Sequence, residues 1–246
     1  MTQLSRVVPS LENTIDVRLY DVEALRAQVS FAFDLSHFRG GEALTATDPV
    51  TVESGLGASG TAILQWPFTG GRYRAALQYG TGPAYNFRSV VTAPAGRTLS
   101  PGETVDIGAV SQFRFVNDLL VQQRGPWQLQ AIAIYQDLDN GAAANSRVRW
   151  TSLGARPVYR LGRFTSLAAE AGWDHTSQSG LPSGWLYKLT VAPQVTPALK
   201  FLSRPSIRAF ATWAWWSESF QGSVAPVSYG NALQGCAFGV QLESWW

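Results

Sequence analysis

Apolar and polar side chains alternate with a period of two through most of this chain. Ile15, Val17 and Leu19 alternate with Asp16, Arg18 and Tyr20, and Val29, Phe31, Phe33 and Leu35 with Gln28, Ser30, Ala32 and Asp34. Successive side chains of an extended backbone point to opposite faces, so each run predicts a strand with one greasy and one wetter side. Further strands are predicted near 57–66, 73–80, 108–121, 127–136, 147–159, 164–174, 185–195, 207–216 and 236–246, giving eleven. The last is the most informative. Phe238, Val240, Leu242 and Trp246 share one side, and Gly239, Gln241, Glu243 and Trp245 the other, as in a strand that meets lipid on one face and an aqueous lumen on the opposite one.

The connections sort into two kinds. Short turns at 21–25, 67–71, 123–126 and 160–163 alternate with long loops at 36–56, 81–107, 137–146, 175–184 and 217–234, the link 196–205 being intermediate. This is the signature of an up-and-down antiparallel barrel with periplasmic turns and external loops. The pattern predicts an all-β transmembrane barrel forming one domain over residues 1–246. Counting back from the last strand, an odd strand number sets Met1 on the outer side, whereas bacterial barrels have an even number and both ends inside. The expectation is that upstream strands complete the barrel and that this chain is its C-terminal portion.

Composition agrees. Charged residues make up 15% of the 246 residues, aromatics reach 12% with ten Trp, and Gly is abundant, a mix suited to turn-rich β structure and poorer in charge than a soluble domain. The net charge of +2, without a cluster of Lys and Arg, leaves nucleic acid no electrostatic footprint. No run of some eighteen apolar residues predicts a membrane helix, and the first residues lack the apolar core of a secretory signal. The single cysteine, Cys236, reads as a small apolar filler on the last strand.

Chemical motifs are few. Gly55-Leu56-Gly57-Ala58-Ser59-Gly60 has dinucleotide-turn spacing, but the chain continues into the β-like Thr61-Ala62-Ile63-Leu64-Gln65-Trp66, and no acid falls between Glu53 and Glu103, so the helix and ribose partner are missing. His37 and His175 lack ligand spacing, and no cofactor or metal is expected. A Gly-x-Ser-x-Gly elbow is absent, although a spatial Ser–His arrangement keeps an outer-membrane hydrolase as an alternative. Asp16, Arg18, Asp34, Arg74, Arg114, Arg149, Glu170, Asp174, Lys188, Arg208 and Glu243 are assigned to the wetter face. There they would line a lumen; the alternative is the solvated side of a soluble sheet. Trp66, Tyr73, Tyr79, Trp127, Tyr135, Trp150, Trp173, Trp185, Tyr187, Trp213 and Trp215 lie near strand ends and read as interfacial girdles. Trp245 differs: it shares the polar side with Gln241 and Glu243, where an indole can stack on a sugar ring.

Several blocks together resemble the carbohydrate porin family of maltoporin. They are Asp16-Val17-Arg18-Leu19-Tyr20-Asp21, Leu77-Gln78-Tyr79-Gly80-Thr81-Gly82, Gly154-Ala155-Arg156-Pro157-Val158-Tyr159, Tyr187-Lys188-Leu189-Thr190-Val191-Ala192-Pro193, Ser203-Arg204-Pro205 through Ala214, and the ending Phe238 through Trp246. The resemblance implies a homotrimeric outer-membrane barrel of about eighteen strands, of which this chain would hold the last eleven. It further implies passive diffusion of maltose and maltodextrins along an aromatic track beside a polar one.

Carried over, the resemblance makes Trp245 the slide tryptophan at the periplasmic end, with Glu243 beside it. A second slide position is occupied by Leu202, with Phe201 adjacent, and a third falls at Arg72, with Tyr73 next to it. Phe238, Val240, Leu242 and Trp246 are the membrane-anchoring side. The alternative to a sugar porin is a truncated barrel that conducts nothing, its open edges leaving backbone groups unpaired in lipid.

Overall fold

The computed structural model describes residues 10–24, 26–44, 49–86, 104–144, 146–198, 201 and 203–244. Its strands are β1 (Ser10–Ala24), β2 (Ala27–Arg39), β3 (Gly41–Leu44), β4 (Pro49–Val52), β5 (Gly55–Phe68), β6 (Gly71–Thr81), β7 (Thr104–Val105) and β8 (Ser111–Arg124). There follow β9 (Trp127–Asp139), β10 (Arg147–Arg160), β11 (Thr165–Gln178), β12 (Gly184–Val195), β13 (Ser206–Trp216) and β14 (Gln234–Glu243). All but β3, β4 and β7 form one eleven-stranded antiparallel sheet in chain order, with β1 and β14 at its edges. Its strands are ten to fifteen residues long, enough to cross a bilayer when tilted. β1 and β14 do not pair among the described residues, so the sheet is open. Among the described residues no helix is long and apolar enough to cross a membrane.

All eleven strands of the sheet lie where the alternation places them, but most run further. β1 continues to Ala24, so the first turn tightens around Arg26, which has φ 65°. At the other end of the β11 hairpin the strand reaches Gln178, and the connection to β12 shrinks to 179–183. It is then shorter than the β12–β13 link, so the alternation of sides holds while the strict contrast of lengths does not. Residue 108 belongs to a 3-10 turn at Ile107–Ala109 rather than to β8. Gly70 and Gly125, at φ 82° and 62°, sit in the tight β5–β6 and β8–β9 turns, a conformation that other residues enter at a cost.

The register assigns every side chain to a face. On β14, Phe238, Val240 and Leu242 are 85%, 76% and 67% exposed. Their partners on β13 are Ala211, Ala209 and Ile207. Followed across the ladders, this face carries Leu189 and Val191, Leu167, Leu153, Ala155, Leu129, Phe115, Leu77, Leu64, Phe31, Phe33, Val17 and Leu19. Exposed apolar surface of this extent is stable against lipid, not water. Aromatic residues gather toward both ends of it: Trp66 and Tyr73, and Trp127 against Tyr159 at 4.7 Å, near the turns; Phe113 with Tyr135, Trp173 with His175, and Trp185 with Tyr187 near the loops.

The opposite face carries most of the polar side chains in its middle, interspersed with Ile63, Val116, Ile132 and Ile134, and is apolar at its ends, each of which is covered. At the loop end Phe38, Leu138 and Val148 pack with Val52, Tyr85, Val105, Ile107 and Val110. The last five come from the connections between β2 and β8, which also build the small β3–β4–β7 sheet. At the turn end Phe201, from the β12–β13 link, packs with Leu120, Val158, Ala168, Ala192 and Phe210.

Candidate functional site

Rungs of cross-strand hydrogen bonds run along the polar face. Gln65 Nε2 donates to Gln28 Oε1 at 2.7 Å, Gln78 Nε2 to Thr61 Oγ1 at 3.2 Å, and Arg114 Nε to Gln78 Oε1 at 2.8 Å. Gln130 Nε2 donates to Asp118 Oδ1 at 3.0 Å, and the Thr190 and Thr212 hydroxyls are hydrogen-bonded to each other at 2.8 Å. Each bond joins side chains that the ladder sets on one face, which is why amide and hydroxyl residues recur at alternate positions. Polar groups in such density tolerate no lipid. They belong against water.

Glu243 is the centre of the turn-end cluster. Its Oε2 lies 2.7 Å from Arg204 Nη2 and 2.9 Å from Arg208 Nη2, while Arg208 Nε donates to Gln241 Oε1 at 3.1 Å. Across β10 to β12, Arg156 Nη2 donates to Gln194 Oε1 at 3.4 Å and Gln194 Nε2 to Ser166 Oγ at 3.0 Å. Lys188 Nζ stands 3.5 Å from Glu170 Oε1.

The residues expected to bind sugar separate. Arg72 lies on the polar face, opposite Leu120 and 3.7 Å from Asp118. Tyr73 does not join it, because consecutive strand residues point to opposite sides. It stands with Trp66, Leu77 and Tyr79 on the apolar face, and its hydroxyl donates to Asn117 Oδ1 there. Phe201 is 9% exposed, packed in the turn-end core with the Arg156 guanidinium 5.4 Å from its ring centroid. A ring so enclosed offers no stacking surface. Leu202, Trp245 and Trp246 lie outside the described residues.

Two assignments by face also change. Arg149 has apolar-face parity: it pairs in register with Asp137, whose carboxylate it meets at 3.3 Å beside Arg147 at 3.0 Å. The trio sits at the loop end, and Asp139, 3.7 Å from Arg147, brings the two arginines and two carboxylates into balance. Trp150 is not a girdle residue. It shares the polar face with Gln136 and Thr176, and its Nε1 donates to Asp174 Oδ1 at 2.9 Å. An indole anchored by a carboxylate on the polar face is an aromatic platform that parity alone could have revealed. Among the described residues no group of His, Cys, Asp and Glu could hold a metal ion.

Residues 3–246 match the LamB porin family. The chain belongs to the LamB porin family. That membership places this LamB-family chain in the outer membrane of Gram-negative bacteria. Among solved structures it is similar to a loop L8 deletion mutant of OmpT, an outer membrane protein of Vibrio cholerae, at 10% identity and a TM-score of 0.48. The likeness covers 87% of this chain and 61% of that one, so the chain spans less than two thirds of that protein's length.

Proposed function

We propose that the LamB-family chain lines a passage for the passive diffusion of saccharides of the maltose and maltodextrin type. The observation that carries this reading is the two-faced sheet, dominated by apolar side chains on one side and laddered with amides, hydroxyls and charges on the other. A solute crossing along the polar face meets weak, serial hydrogen-bonding partners, strong enough to admit it and weak enough to release it. Trp150 held by Asp174 supplies an apolar plane for the C–H face of a sugar ring. By the family resemblance Trp245 would stack on a sugar ring and Glu243 would accept from its hydroxyls, and the turn end that holds Glu243 faces the periplasm if short turns do so here as in other bacterial barrels.

The sheet edges β1 and β14 need partners, since each unpaired backbone group in hydrocarbon costs several kcal/mol. Seven further strands would close an eighteen-stranded barrel, and such barrels would assemble as a homotrimer. Those same edges favour one other reading, a sheet that conducts nothing by itself. Single-channel recording on the reconstituted chain separates the two: maltodextrin should block the current reversibly in a concentration-dependent way. Open channels indifferent to sugar would contradict saccharide binding, and absence of channels would favour the second reading.

A further inference from the structure

Among the described residues, the turn-end cluster holds more positive charge than its carboxylates balance. A groove of about 300 Å³ on the polar face is lined by Arg156, Glu170, Lys188, Thr190, Arg208 and Gln241, a volume at the lower end for small-molecule sites. Glu243 is shared by two guanidiniums, Arg204 and Arg208, through one oxygen. Glu170 answers Lys188 at 3.5 Å. Arg156 forms no ion pair with a carboxylate among the described residues; it meets the Gln194 amide at 3.4 Å and the face of Phe201. Its charged neighbours are Arg208 and Arg204 on one side of the balance and Glu170 and Glu243 on the other.

Among the described residues, three cations, Arg156, Lys188 and Arg208, stand around the carboxylates of Glu170 and Glu243 and leave a positive excess in a groove whose walls are protein of low dielectric, which concentrates the field and the anions it attracts. Phe201 holds Arg156 in place, since a guanidinium stacked on a buried ring gives up little further freedom on binding. Guanidiniums are also matched to carboxylate and phosphate oxygens by their paired N–H groups. Beside them the Thr190 and Thr212 hydroxyls and the Gln241 amide suit neutral hydroxyl groups.

We propose that this groove binds the acidic substituent, carboxylate or phosphate, of an anionic sugar, and so makes the passage prefer acidic saccharides over neutral ones of equal size. The proposal rests on the polar face lining an aqueous passage, as argued above.

Fluxes of glucose, glucuronate and glucose 6-phosphate into vesicles carrying the full chain test it. At low salt one or both acids should enter about tenfold faster than glucose, the advantage fading as ionic strength rises; preference for a single acid identifies the group bound. Arg156→Gln and the more exposed Lys188→Gln should each lower the acid-to-neutral ratio severalfold. Arg149→Gln, the same charge loss on the opposite face, should leave the ratio at the wild-type value. Glucose flux without preference for either acid overturns the anionic site and leaves the porin reading intact. Lack of flux for all three overturns both.

Discussion

Tyr73 and Trp150 show how much a single residue's parity decides. Both are aromatic, both lie near strand ends, and only the register separates them: Tyr73 turns to lipid and satisfies the carboxamide of Asn117, whereas Trp150 turns to the polar face and is held by Asp174. Replacing Tyr73 by Phe leaves the Asn117 oxygen without its donor on an apolar surface. The expected loss is about 1–3 kcal/mol of stability, read by denaturant unfolding in lipid vesicles, with maltodextrin block unaltered. For Trp150→Ala the expectation reverses. Stability should change little while maltodextrin block weakens about tenfold, or ~1.4 kcal/mol, in single-channel titrations. The Trp150 assignment was legible in the sequence, since it is two positions from Ser152 and six from Arg156 on one strand. That of Phe201 was not, because its burial depends on a link folding over strands far away in the chain.

At the scale of elements, the ladder strands were visible because lipid on one side and water on the other impose a period of two. The exceptions to that period were less so. Phe38, Leu138 and Val148 at one end, and Leu120, Val158 and Ala192 at the other, put apolar side chains on the polar face. They are the footprints of connections that fold back onto it. β3, β4 and β7, two to four residues each, are too short to show a period, and they escape a reading based on alternation.

Gly82 marks the return of the loop-end cap. It has φ 55°, and a Cβ there would stand 2.4 Å from the Leu56 carbonyl oxygen. Removing bulk from the cap by Ile107→Ala should cost about 2–5 kcal/mol and open loops 40–54 and 104–110 to external protease. Tyr85, 4% exposed, has its hydroxyl pushed up to about 12 by burial. A raised value means that the folded state holds its proton longer than the unfolded one does. The cap therefore keeps its full stability below pH 10 and loses it progressively as pH climbs toward 12. Ultraviolet titration of phenolate should show one tyrosine ionising late, and Tyr85→Phe should abolish that step.

For the molecule as a whole, the two faces make a paired prediction from adjacent residues. Leu153 points to the apolar side and Ser152 to the polar one. Leu153→Arg should destabilise the membrane-inserted state by about 2–4 kcal/mol, and Ser152→Arg, bathed by water, far less. Unfolding of both variants from vesicles compares them directly. Fold class and membrane locale were readable from the chain because they depend on alternation and aromatic placement summed over many strands. Charge balance along the passage was not, since it depends on which cations share which carboxylate.

The division between lipid and water along one strand is the claim on which the rest stands. With Cys236 replaced by Ser, a nitroxide placed in turn at 188, 189, 190 and 191 on β12 reports collision with oxygen, enriched in lipid, or with a nickel chelate confined to water. Positions 189 and 191 should favour oxygen and positions 188 and 190 the chelate, alternating residue by residue. Four positions reached alike by the same reagent, or sheltered from both, would contradict a strand that separates membrane from aqueous passage.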